Sequence, residues 1–173
     1  ENPYSPPCAT FSGSWGYYRD ENTWKTNHEL ISMIIETTSK GGNLLLNIGP
    51  TARGSFDYRA ENALEKIGTW MKANGRSIYE CTQAPESWKA PKGSMITYNP
   101  KKNRLYIHIT DYKTGWLKLD NAVGKIKYAQ FLHDNSEIQF QNHWDSKYPN
   151  DVVFSKPNIK PNIEIPVIEI FLN

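Results

Sequence analysis

The stretch Gly41-Gly42-Asn43-Leu44-Leu45-Leu46-Asn47-Ile48-Gly49-Pro50 constrains the fold of this chain more than any other. Two glycines open it, an apolar run fills it, and Gly49-Pro50 stops it. A short continuous apolar run between turn residues is the pattern of a strand covered on both faces, as in a parallel sheet. Helical periodicity flanks the run on both sides, and helix–strand–helix is the repeating unit of a (β/α) barrel or a doubly wound sheet. Asn47 interrupts the run at its C-terminal end, the end that borders the active site in barrels. Two roles stay open for it: a residue of such a site, or a side chain that ties neighbouring loops together by hydrogen bonds.

Length limits how much of such a fold fits. A complete (β/α)8 barrel takes about 250 residues, and this chain has 173. The α/β part is therefore small, or the chain is a piece of something larger. Glu1-Asn2-Pro3 reads as an internal start, and no signal peptide is expected. A net charge of only +2, with no run of five or six like charges, argues against a nucleic-acid or acidic-membrane surface. No stretch approaches the roughly 18–20 apolar residues of a membrane span. The aromatic count is high, with 6 Trp, 10 Tyr and 6 Phe, and aromatic faces serve as platforms for sugar rings as well as sheet surfaces. Cys8 and Cys81 are too few for a disulfide framework and are expected as free buried thiols.

Residues 1–27 have loop chemistry, with Pro3, Pro6 and Pro7 followed by Ser12-Gly13-Ser14-Trp15-Gly16-Tyr17-Tyr18. Trp15 and its tyrosines read either as a plug at one barrel end or as an aromatic wall beside a ligand, which the adjacent glycines would let approach. A helix follows, capped by Thr26 or Asn27, with Glu29 in the first turn and Leu30, Ile31, Ile34 and Ile35 on its buried face. Gly41 is placed for its left-handed C-cap. A second helix is expected from Tyr58 to Ala73, with Ala60, Leu64, Ile67 and Met71 inward and Asn74-Gly75 as its stop. Ser77-Ile78-Tyr79 reads as a short extended piece.

Near Pro85 the period changes from 3.6 to 2. Segments 95–98, 104–110, 115–119, 125–132, 137–140, 151–154 and 163–172 read as strands separated by turn signals, the pattern of an antiparallel β-sandwich. Alternation is clearest where Leu105, Ile107 and Ile109 share one face. Pro85 and Pro91 punctuate a polar segment, so the boundary falls there: residues 1–86 as the last α/β units of an incomplete barrel, residues 87–173 as the sandwich, an α+β multidomain chain.

Most catalytic templates are absent. There is no Gly-x-Gly-x-x-Gly, P-loop, Cys-x-x-Cys or His-Glu-x-x-His, and Gly13-Ser14-Trp15-Gly16 lacks the spacing of a nucleophile elbow. His28 has no neighbour at metal-ligand spacing, and His108, His133 and His143 read as surface or sheet residues. Carboxylates remain. Glu36, Asp57 and Glu61 fall on or beside helices and read as solvated, whereas Glu1, Asp20 and Glu21 lie in the loop zone.

Ser14-Trp15-Gly16-Tyr17, the following loop and helix, and Ser39 through Thr51 together closely resemble the α-L-fucosidases of glycoside hydrolase family 29. The likeness continues through Ile67-Gly68-Thr69-Trp70-Met71-Lys72-Ala73-Asn74-Gly75 and Ser77-Ile78-Tyr79, covering about residues 8–80 at motif level; beyond Pro85 it is architectural. The resemblance implies a retaining exo-hydrolase of terminal fucose with an aspartate nucleophile, a carboxylic acid/base, and no metal or cofactor. Retention needs two carboxyl groups about 5–5.5 Å apart. In the family the nucleophile belongs to an earlier barrel strand, which implies that it lies upstream of this chain. Many members carry Trp-Glu shortly before the Ser-Trp-Gly-Tyr motif; here Ser5-Pro6-Pro7 stands there, leaving Glu1 as the acid/base candidate. The resemblance further implies that Trp15 and Tyr17 contact substrate, with Trp15 against the C5 methyl of fucose. The partners implied are a fucosylated glycan and the remainder of the barrel, in a secreted, periplasmic or lysosomal setting. The alternative is a non-catalytic carbohydrate-binding or structural β-sandwich that retains a barrel remnant.

Overall fold

Thr26 supplies the first firm boundary. Its side chain accepts from the Glu29 amide and the Glu29 side chain reaches back to the Thr26 amide, a reciprocal capping box that opens α1 (Asn27–Ser39). The computed structural model describes residues 8–173, so Glu1 lies outside the described residues. Helix α1 ends at Lys40, and Gly41 takes φ +73° as its left-handed cap. Leu30, Ile31 and Ile35 are its buried residues.

Before α1 runs β1 (Cys8–Thr10) and after it β2 (Leu45–Asn47), and the two pair in parallel with Cys8 opposite Leu45. The apolar run thus contains a strand, but not one buried on both faces. Leu45 is 53% exposed, because β1 is the only strand hydrogen-bonded to it among the described residues. Helix α2 (Tyr58–Asn74) follows, with Asp57 as N-cap. Its buried side is Ala60, Ala63, Trp70 and Asn74; Leu64, expected inside, is exposed. The helix continues into a 3-10 turn at Gly75–Ser77 and then a turn through Ile78 and Tyr79, so the piece expected as extended is not a strand.

The expected antiparallel sheets are present. One has the order β3 (Ser94–Asn99), β4 (Arg104–Ile109), β9 (Val167–Leu172), β6 (Ile126–Phe131), and the other β5 (Leu117–Leu119), β8 (Val152–Phe154), β7 (Phe140–Asn142). Between them lies a core that includes Leu105, Ile107, Leu119, Phe131, Phe154 and Ile170. Segment 137–140 keeps one bridge at Glu137, and its strand begins only at Phe140. The β3–β4 loop closes on Asn103 at φ +52°, a conformation asparagine tolerates better than most residues.

The four-stranded sheet is covered on both faces. On the side away from the three-stranded sheet, Tyr106, Val167, Leu132 and Ile165 pack with Ile31, Ile35 and Trp70 of the helices. Trp70 is nearly fully buried, and its Nε1 donates to the Ile165 carbonyl at 3.0 Å. Polar residues on this face bond mostly to one another, with His108 Nδ1 left buried and unpartnered. Thr97 Oγ1 donates to the Ser77 carbonyl at 2.7 Å and lies 2.9 Å from His108 Nε2. Glu169 accepts from Tyr106 Oη at 3.2 Å and Gln130 Nε2 at 2.8 Å, and lies 3.4 Å from Arg76 Nη2. His108, read as a surface or sheet residue, lies in β4 and is completely buried. Cys8, expected buried, is exposed, and both thiols are free.

Two measurements check this interface. Burial holds the His108 pKa down to about 3, from about 6.5. Its imidazole is neutral in the folded state, so above pH 6.5 it makes no pH-dependent contribution. As the pH falls from 6.5 toward 3 the unfolded chain takes up a proton that the folded chain does not. Stability then drops by up to about 1.4 kcal/mol per pH unit from this group. Urea titrations across that window should show a shallower decline in His108→Phe; an equal slope in both proteins would show that His108 is not the group held neutral. Trp70→Ala should lower stability by about 3–5 kcal/mol, in a single transition followed by fluorescence and far-UV dichroism.

Candidate functional site

The parallel pair ends, in chain direction, at Thr10 and Asn47, and the loop from Phe11 to Lys25 starts at that edge. Two contacts fix its tip. Asn47 Nδ2 donates to the Trp15 carbonyl at 2.5 Å, so Asn47 does tie neighbouring loops. Gly49 lies against the Gly16–Tyr17 backbone so closely that a Cβ at 49 would fall 2.3 Å from the Tyr17 nitrogen. Any other residue there would push the two loops apart.

Glu21 holds the loop from within. Although it is a carboxylate it is buried, and it accepts from Ser14 Oγ, from the Thr23 amide at 2.8 Å and from Thr23 Oγ1 at 2.6 Å. These donors, Ser14 first, lower its pKa to about 2. Thr23 Oγ1 in turn accepts from the Gly13 amide at 2.7 Å. A carboxylate held ionised in this way cannot protonate a leaving group near neutral pH, the work that calls for a raised pKa. Asp20, the other loop carboxylate among the described residues, is exposed and pairs with Arg19 at 3.5 Å.

Arg59 joins this loop to α2. Its guanidinium grips Asp57 with Nε at 2.8 Å and Nη2 at 2.9 Å, while Nη1 donates to the Glu21 carbonyl at 2.9 Å. Its charge also sits 4.8 Å from the Trp24 ring centroid. The Asp57 pKa is lowered by the Arg59 hydrogen bond. Asp57 is therefore a helix cap and ion-pair partner rather than the solvated group its position suggested.

Against this braced backbone Trp15 is 62% exposed and Tyr17 39% exposed. Trp15 is not an internal plug among the described residues. The cavity behind the loop, bordered by Ser14, Tyr17, Glu21, Trp24 and Gly49, has a volume of only about 10 Å³, room for about one water. Among the described residues no group of three or more His, Cys, Asp or Glu side chains is arranged to hold a metal ion. No helix among the described residues is long and apolar enough to cross a membrane.

The sequence reading singled out Trp15, Tyr17 and Asn47, and the structure brings them to one edge. It placed Glu21 in the loop zone but missed its bracing role, and it missed Thr23, Arg59 and the fit of Gly49. Asp57 two residues before Arg59 was the available signal for a helix cap joined to an arginine clamp.

Comparison with known proteins gives this geometry a family. The α-L-fucosidase family model matches residues 2–76. Rat plasma α-L-fucosidase is 32% identical over 166 residues, covering 88% of this chain and 34% of the relative. The crystal structure of α-L-fucosidase isoenzyme 1 from Paenibacillus thiaminolyticus superposes with a TM-score of 0.87 at 34% identity, over 96% of this chain and 39% of the other. A Bacteroides thetaiotaomicron family 29 α-L-fucosidase, trapped as a covalent intermediate, shares the fold with a TM-score of 0.81 at 24% identity, over 96% of this chain and 37% of the other. The chain thus falls among the glycoside hydrolases. It belongs to the α-L-fucosidase family, glycoside hydrolase family 29, and corresponds to a C-terminal portion of it. It spans about a third of the length of the rat relative.

The loop lock makes its own prediction. Glu21→Gln keeps the side chain's size but removes the charge and replaces one acceptor with a donor. Hydrogen exchange at the Thr23 amide should speed up about tenfold or more, with α2 unaffected. Unchanged protection would show that Asn47, Gly49 and Arg59 suffice to hold the loop.

Proposed function

We propose that this chain is part of a retaining exo-α-L-fucosidase that removes terminal α-L-fucose from glycans. Residues 1–86 are its last barrel units and residues 87–173 its β-sandwich domain. The observation that carries the reading is the Ser14–Tyr17 loop, braced by Asn47 and Gly49 beyond the ends of a parallel strand pair, with Trp15 turned outward. The open flank of β2, where Leu45 is bare, is the side on which earlier barrel strands would pair. The nucleophilic aspartate belongs to those strands. Glu1 is the acid/base candidate by family likeness, and the ionised state of Glu21 supports looking outside the loop for that group.

In this reading Trp15 is an apolar wall. Fucose is a 6-deoxy sugar, and its C5 methyl and adjoining C–H face are matched by an indole rather than by a hydrogen-bonding group. Tyr17, half-exposed beside Gly16, borders the same wall. Gly49 and Asn47 act through the loop backbone, setting where the indole stands.

In the full-length protein Trp15→Ala should lower kcat/KM for fucosides by about ten- to a hundredfold, the size of a lost apolar contact of roughly 1–3 kcal/mol. It should also narrow the preference for fucose over galactose of matching configuration. A folded variant that keeps its rate and selectivity would make Trp15 a packing residue. The isolated 173-residue chain should show no hydrolysis; turnover by it would overturn the placement of the nucleophile.

A further inference from the structure

A second set of exposed aromatics lies on the three-stranded sheet, which the four-stranded sheet separates from the helices. Leu117 and Leu119 point into the core, so by strand alternation Trp116 and Lys118 point outward. Trp116 is 50% exposed and Trp144 61% exposed, and their rings meet edge to face at 5.5 Å. Trp144 is braced from behind. His143 stacks on it at 4.7 Å and 25°, the His143 amide donates to the Asp151 carbonyl at 2.9 Å, and His143 Nδ1 accepts from the Asp145 amide at 3.0 Å. The two indoles are thus held in place before anything binds, which lowers the ordering cost of binding.

Beside Trp116 opens a groove of about 360 Å³, whose rim carries Lys89, Lys92 and Lys118. Lys118 is neutralised by Asp120 at 2.5 Å and Asp151 at 2.8 Å. No ion pair engages Lys89 or Lys92 among the described residues, so with Lys118, Asp120 and Asp151 counted the rim keeps a surplus of one positive charge, carried by two unpaired lysines. We propose that this face binds an acidic oligosaccharide, with the Trp116 and Trp144 indoles against the C–H faces of sugar rings and Lys89 and Lys92 on a carboxylate or sulfate of the chain.

The surface chemistry favours this occupant over others. The groove is within the size range of small-ligand sites. Protein-interface cores are depleted in lysine and aspartate, and this rim has both. Single-stranded nucleic acid also uses aromatics with basic groups, but three lysines set against Asp120 and Asp151 leave too little positive charge for the several phosphate contacts on which such binding rests. The proposal does not depend on hydrolysis, so failure of the fucosidase reading would leave it standing, and the converse holds.

The experiment is a tryptophan-fluorescence and calorimetric titration of the full-length protein carrying this chain. The probes are a galacturonate hexamer, a sulfated galactan hexamer, the methyl-esterified galacturonate hexamer as a neutral control, and an oligo-dT. At least one acidic hexamer should bind, at least about tenfold more tightly than the neutral control. Trp116→Ala should weaken that binding about tenfold. Lys89→Ala/Lys92→Ala should weaken it and flatten its salt dependence, with the melting temperature of both variants unchanged. Failure of both acidic hexamers, equal binding of the neutral one, tighter binding of oligo-dT, or full affinity in both variants would each overturn the proposal. So would a dimer in sedimentation that Trp116→Ala dissolves, since the face would then belong to a second copy.

Discussion

Everything else in this chain is positioned by the seam between the two helices and the four-stranded sheet. Trp70 crosses it, nearly without solvent contact and with its N–H satisfied by the Ile165 carbonyl. Ile31 and Ile35 of α1 share the same cluster. Because α1 leads directly into β2, fixing α1 against the sheet also fixes where Asn47 and Gly49 emerge. The loop that bears Trp15 therefore inherits its position from a core on the other side of α1. A buried face holding Thr97, His108 and Glu169 is tolerable only because Thr97 and Glu169 are fully engaged and His108 stays uncharged.

The loop itself is held by electrostatics of a different kind. Glu21 is kept ionised by three donors from its own loop, and Arg59 grips the Glu21 carbonyl and Asp57 at once. No apolar cluster of comparable size lies beneath it: Phe11, Leu30 and Ala63 form the only small core nearby among the described residues. A loop built this way gains rigidity from short charge-assisted hydrogen bonds and leaves its aromatic faces free. A loop packed by those aromatics instead would bury the surface that a ligand needs.

How much of this was legible depended on whether a residue's role was set locally. A cap at Thr26 or Asn27 with Glu29 in the first turn, the Gly41 C-cap and the strand within Leu44–Ile48 are decided by neighbours a few positions away, and they could be read directly. The inward face of α2 was not legible. Leu64 fits the helical stripe as well as Trp70 does, but the surface that covers Trp70 comes from Ile165, almost a hundred residues later. That His108 is buried was not legible for the same reason: alternation in β4 marks Leu105, Ile107 and Ile109 as one face, and nothing local says that helices cover the other. At the site the motif residues were visible. The bracing role of Glu21 was not, because in sequence nothing separates it from Asp20, its neighbour in the same loop. Only the convergence of Ser14 and Thr23 on it sets it apart.

Tryptophan shows most clearly why residue type alone does not assign a role. Trp70 has its N–H bonded and its rings enclosed, so its contribution is to stability. Trp24 lies under the Arg59 guanidinium with Nε1 buried and unpartnered. That arrangement costs the indole a hydrogen bond and returns a cation–π contact that helps hold Arg59 over the loop. Trp15 and the Trp116–Trp144 pair are exposed on a restrained support, the first through its own backbone carbonyl, which accepts from Asn47 Nδ2, the second through the histidine stacked on Trp144. An exposed indole whose orientation is already restrained has given up side-chain entropy without burying its surface. The folded chain bears that cost at two separate places, and the apolar area left uncovered there is what a bound sugar ring would remove from water.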